Sequence, residues 1–142
     1  MSSLPLKVGG GDMEHIHAHA KETYPEECSG VMVGMNTGEM KVVVDVWRAE
    51  NTHGDERSRR FLIDPKEYIA FEKRADERDM EILGVYHSHP DHPAEPSEYD
   101  RDHAWPGWSY VITSVSGDDI NATRSWLLKP DRSGYDEEDL VG

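Results

Sequence analysis

The sequence predicts an α+β fold, a single domain in which helices pack on a curved mixed β-sheet. A chain of 142 residues sets the scale: it matches one domain and is long enough to bury one core. The order of apolar patterns adds the class. A helix, a hairpin, a strand, a second helix, another strand, a short helix and two final strands follow one another, with no internal repeat or linker.

Taken in order, residues 4–8 are a short first strand or a loose lead-in, closed by Gly9, Gly10 and Gly11. Asp12 is the expected N-cap of a helix over residues 13–23, where Met13, Ile16 and Ala20 recur at helical spacing and Pro25 blocks continuation. His15, His17 and His19 lie on it. His15 and His19 are one turn apart, but no third ligand accompanies them, and all three are read as solvated. Residues 31–35 and 40–47 form a hairpin around Asn36, Thr37 and Gly38; its first strand is almost wholly apolar and is expected to be central. Residues 48–60 are a polar loop, either bordering a cleft or simply connecting. Residues 61–63 are a short strand. Asp64 caps the next helix, with Pro65 at its first position. Tyr68, Ile69, Phe71 and Ala75 form its apolar side, and its charges form a solvated face.

Residues 81–86 then read as a buried strand running into Tyr86-His87-Ser88-His89-Pro90. Side chains two apart on a strand share a face, so His87 and His89 leave the strand end side by side. Eleven residues on, Asp100 stands at the start of a short helix over residues 97–104. Two imidazoles and one carboxylate suit zinc and leave a fourth tetrahedral position for water, as in catalytic sites. A His-x-His pair alone also occurs on exposed strand ends. Ser97, three before Asp100, reads as a helix cap. Pro90, Pro93 and Pro96 stiffen the loop between, in which His92 is expected to be exposed. Strands over 108–115 and 120–128 follow. Residues 131–142 hold five acids and are expected to form a frayed acidic tail beyond a domain spanning 1–130.

The full spacing, His-x-His-Pro, six residues, then Ser-x-x-Asp, resembles the JAMM (MPN+, Mov34/PAD-1) zinc metalloproteases, in particular their short prokaryotic JAB branch. The likeness extends to Pro25-Glu26-Glu27-Cys28-Ser29-Gly30 with Gly34, to 61–65 and to 106–110, and covers roughly residues 10 to 130. It implies an MPN domain with cytidine-deaminase-like layering and one zinc ion held by His87, His89 and Asp100. It implies that Glu27, rather than its neighbour Glu26, is the base, and that Ser97 donates to the developing oxyanion. It implies hydrolysis of amide bonds at the C-terminal Gly-Gly tail of ubiquitin-like or sulfur-carrier β-grasp proteins. With no room for a separate binding domain, recognition falls to this domain, a homodimer or a partner. The alternatives are a non-catalytic MPN scaffold, which zinc content near zero would favour, and a zinc peptidase for small peptides.

Composition narrows the classes further. Twenty-nine acids against 15 bases give a formal charge of −14, which argues against nucleic acid and anionic membranes as partners. That acidity either serves solubility or a salty cytoplasm, saying nothing about substrate, or selects a partner with a basic patch. One cysteine excludes a disulfide framework, a thiol-protease constellation has no companions, and the Cys-x-x-Cys pair of zinc deaminases is missing. Cys28 is expected to be a small buried thiol. With no apolar leader and no long apolar run, the expectation is a cytoplasmic protein.

Overall fold

The computed structural model describes residues 4–50, 63–97 and 106–142. Chain order is β1 (Leu6–Val8), α1 (Gly10–Thr23), β2 (Ser29–Asn36), β3 (Lys41–Ala49), α2 (Pro65–Asp76), β4 (Glu81–Pro90), β5 (Ser109–Ser116), β6 (Asp119–Leu128), β7 (Tyr135–Glu138) and β8 (Leu140–Val141). The strands form one mixed sheet in the order β7-β6-β5-β4-β2-β3-β1-β8. β4 runs parallel to β5, and β1 parallel to both β3 and β8; the remaining pairs are antiparallel. The apolar strand β2 is interior, as its sequence predicts, between β3 and β4.

One helix covers each face of the sheet. Ile16 and Ala20 of α1 pack with Leu6, Val8, Met32, Val43, Tyr86 and Val111. Phe71 and Ala75 of α2 pack on the opposite face with Val31, Val33, Trp47, Val85 and Tyr110. The division follows the two-residue alternation along each strand: Val31 and Val33 face one way, Met32 the other. Asp64 caps α2 as expected, its carboxylate accepting from the Lys66 amide at 2.8 Å. Ile69, however, is 62 % exposed; only Phe71 and Ala75 of the predicted apolar side are buried. Helix α1 begins three residues before the predicted start. Gly9 occupies the cap position and Asp12 lies inside the first turn, where its charge favours the helix dipole without capping it.

Two further expectations change. The strand carrying His87 and His89 does not stop before them: β4 continues to Pro90 because β5 pairs with it from Gly84 to Pro90. Nor does the C-terminal segment fray. β7 pairs with β6, and β8 pairs with β1 at the other end of the strand order, although only Asp139 separates them. The sheet therefore curls until its two ends meet, and the Leu6 amide donates to the Asp139 carbonyl at 2.9 Å across the junction. The polar loop expected at 48–60 starts later, since Arg48 and Ala49 end β3; its residues 51–60, together with Phe61 and Leu62 of the expected short strand, lie outside the described residues. The expected helix at 97–104 lies outside them too, except for Ser97.

Candidate metal and catalytic site

β4 carries the centre of the site. Val85, His87 and His89 alternate onto the α2 face, and Tyr86 and Ser88 onto the α1 face. Both histidines are buried, His87 completely. Their Nε2 atoms stand 3.0 Å apart. His89 donates from Nδ1 to the Pro93 carbonyl at 3.0 Å, the tautomer in which Nε2 carries the lone pair that faces His87. A carbonyl behind a ligating imidazole is the usual device for setting its tautomer and ring plane.

Glu27 reaches the same place, on the same face, from the chain that leads into β2, the strand beside β4. Ser29, the first residue of β2, pairs with His87, so the chain just before β2 runs past the end of the histidine pair. Glu27 is 2 % exposed, while Glu26 is exposed. Ligand atoms of Glu27, His87 and His89 all lie within 4.8 Å of one another. Ser29 sits cross-strand from His87 on the same face; its buried hydroxyl has no hydrogen-bond partner among the described residues.

This donor set fits a zinc ion. Two nitrogens, each about 2.0–2.1 Å from zinc at tetrahedral angles, stand roughly 3.3 Å apart, close to the observed spacing. Imidazole with carboxylate is also the right chemistry for that ion. Asp100, expected as the third ligand, lies outside the described residues.

Glu27, His89 and Ser97 line one cleft of about 540 Å³, together with His92 and Glu95. Ser97 and His92 are exposed at its rim. The loop floor is fixed by three successive carbonyls, each taking a side-chain donor: His92 from Ser114 Oγ (2.5 Å), Pro93 from His89, and Ala94 from Trp126 Nε1 (3.0 Å). These bonds add to the stiffness that the prolines confer. Backbone acceptors leave no residue signature, so sequence reasoning missed them.

Behind Glu27, Cys28 turns into the core on the α1 face. Burial pushes the Cys28 thiol up to about 11, as suits an inert thiol. His19 is not solvated, contrary to expectation. It is 7 % exposed, bonds the Tyr86 hydroxyl at 2.7 Å, and burial lowers its imidazole to about 4. His17 is also drawn in, with Nε2 2.9 Å from Thr123 Oγ1, and burial lowers it as well. Only His15 stays exposed. Neither His17 nor His19 joins the metal-type cluster.

A curved sheet between two helices, with His-x-His on an interior strand and a buried glutamate beside it, defines a class, and comparison with known proteins agrees. Residues 12–129 match the family described as prokaryotic homologs of the JAB domain. The chain is 30% identical over 122 residues to the desampylase of Haloferax volcanii, covering 82% of this chain and 86% of that one. It is 30% identical over 125 residues to a probable TtuB-protein conjugate cleaving protease of Thermus thermophilus, covering 88% and 77%. In structure it is similar to AF2198, a JAB1/MPN domain protein from Archaeoglobus fulgidus, with TM-score 0.59 over 99% of this chain and 100% of that one; at 18% identity this likeness concerns the fold. The chain belongs to the prokaryotic JAB branch of the JAMM/MPN family.

Proposed function

We propose that this protein is a zinc-dependent isopeptidase that hydrolyses amide bonds at the C-terminal Gly-Gly tail of ubiquitin-like or sulfur-carrier β-grasp proteins. The convergence of Glu27, His87 and His89 carries this reading. The family supports it, as do two relatives named for conjugate cleavage.

His87, His89 and Asp100 would hold the zinc ion, one per chain. Bound there, zinc supplies Lewis acidity, lowering the pKa of a water toward about 7 and polarising the scissile carbonyl. Glu27 takes the proton from the attacking water and returns it to the leaving amine. Its burial keeps that carboxylate at short range from the reacting atoms and away from bulk solvent. Ser97 donates a hydrogen bond from its hydroxyl to the developing oxyanion from the rim of the cleft. An extended tail docks as an added strand beside the cleft and brings its Gly-Gly carbonyl to the site. The enzyme works in the cytoplasm, alone or as a homodimer; no helix among the described residues is long and apolar enough to cross a membrane.

The test is cleavage of a β-grasp carrier fused through Gly-Gly to a short peptide. Zinc-loaded wild type cuts after Gly-Gly. Glu27→Ala retains one zinc and loses about 10²–10⁴-fold in rate, the range for general acid–base groups. Loss of zinc in that variant would make Glu27 a ligand instead of the base. No cutting by zinc-loaded wild type, with small peptides hydrolysed instead, would replace the substrate class.

A further inference from the structure

The antiparallel ladder between β2 and β4 ends at Ser29 and His87. Beyond it β4 continues, while the chain ahead of β2 turns away. One residue of β4 nevertheless keeps hold of that chain. The Ser88 amide donates to the Cys28 carbonyl at 3.1 Å, and the Cys28 amide donates to Ser88 Oγ at 2.8 Å. Both main-chain polar groups of Cys28 are therefore bonded to Ser88, the residue between the two histidines. The second bond is taken by a side chain where a regular ladder would offer a carbonyl.

Alternation makes this clamp specific. Cys28 and Ser88 face α1, and Glu27, His87 and His89 face the cleft on the other side. The Cys28 amide belongs to the peptide group that follows Glu27 directly. Its bond to Ser88 fixes the plane from which the Glu27 side chain departs. Ser88 is fully buried on the far face, so its hydroxyl cannot touch a substrate in the cleft.

Resting on the isopeptidase reading above, we propose that Ser88 is the positioning residue that holds Glu27 against the histidine pair. Its hydroxyl carries no proton for the reaction. It sets the distance between the base and the two imidazoles, and misplacement of a reacting group by about 1 Å can cost about 10²-fold.

The experiment compares Ser88→Ala, Ser88→Val and Ser88→Thr with wild type, all loaded with zinc. Threonine keeps the hydroxyl, and valine has nearly the same shape without it. Alanine and valine are expected to lower kcat about 10–100-fold, with KM and zinc stoichiometry within about twofold of wild type; threonine stays within about threefold. A second readout does not depend on activity. The NOE between the Glu27 side-chain protons and the His87 or His89 ring should be present in wild type and Ser88→Thr and lost in Ser88→Ala and Ser88→Val. Its persistence in the hydroxyl-free variants overturns the proposal, as does an unchanged kcat in them. If they fail to fold while threonine folds, the hydroxyl is a folding determinant and the positioning role is wrong. Wild type without activity on any Gly-Gly substrate would sink the isopeptidase reading alone, and the NOE comparison would still decide the role of Ser88.

Discussion

The residues of the site differ in how visible they are. His87 and His89 stand out in the sequence because two imidazoles two apart share a strand face by simple alternation, whereas Glu27 is singled out only by the family resemblance of its segment. What the sequence does not show is that Glu27, rather than Glu26, is the buried one; that follows from the pairing of Ser29 with His87. His19 illustrates the opposite error. On a helix rich in polar residues it reads as solvated, yet it is covered because Tyr86 of β4 reaches across to meet it. A contact between residues so distant in sequence has no local signal. It has a measurable consequence. Burial lowers the His19 imidazole from its ordinary 6.5 to about 4, with Arg48 adding to the shift and Glu22 opposing it. The folded pKa lies below the unfolded one, so the unfolded chain binds more protons between about pH 4 and 6.5. Stability must therefore fall as pH drops through that window and be independent of this group above it. Urea unfolding at pH 7 and pH 5 should show a larger loss for wild type than for His19→Gln. Equal losses would mean that His19 is not held neutral by the fold.

At the scale of elements, the strands and helices were largely legible, because each has a period of its own. The β2–β3 hairpin, α2 with its Asp64 cap, and the β5–β6 pair stand within a few residues of where their patterns place them. The end of β4 was not, since Ser88, His89 and Pro90 have no strand-like composition; β5 alone extends it by pairing as far as Val115. That pairing depends on Gly84. A Cβ there would meet the Ser109 carbonyl oxygen at 1.9 Å, a main-chain atom that cannot turn aside. Gly84→Ala should therefore push β5 away from β4 and destabilise the fold by about 2–3 kcal/mol, the upper range for overpacking. Because β5 also supplies Ser114, which holds the cleft loop through the His92 carbonyl, the same change should loosen the loop. Denaturant titration measures the first effect, and amide exchange across residues 91–96 the second. A variant as stable as wild type would show that the two strands separate without cost.

For the whole molecule, the decisive feature is how the curled sheet is closed, and here the sequence misleads. Residues 131–142 look like a solvated acidic tail because Asp136, Glu137, Glu138 and Asp139 carry like charges with no apolar period. Glu138 is instead 3 % exposed. It pairs with Lys41 Nζ of β3 at 2.5 Å and accepts from Ser125 Oγ at 2.6 Å and Ser109 Oγ at 3.1 Å. Strands β3, β5, β6 and β7 thus meet at one carboxylate on the α1 side, from opposite ends of the strand order. The value of such a pair lies in its completeness. Two buried charges together are no more stabilising than well-packed apolar groups, but removing one leaves the other buried without a counter-charge, at about 3–5 kcal/mol. Glu138→Ala should lose that amount, and Lys41→Met/Glu138→Leu should lose less than the single variant, although the Ser109 and Ser125 hydroxyls then lack their acceptor at about 1 kcal/mol each. Unfolding free energies of the three proteins in urea decide it. If the double variant is no more stable than Glu138→Ala, the carboxylate acts through the two serines, and the ion pair with Lys41 contributes nothing to closing the sheet.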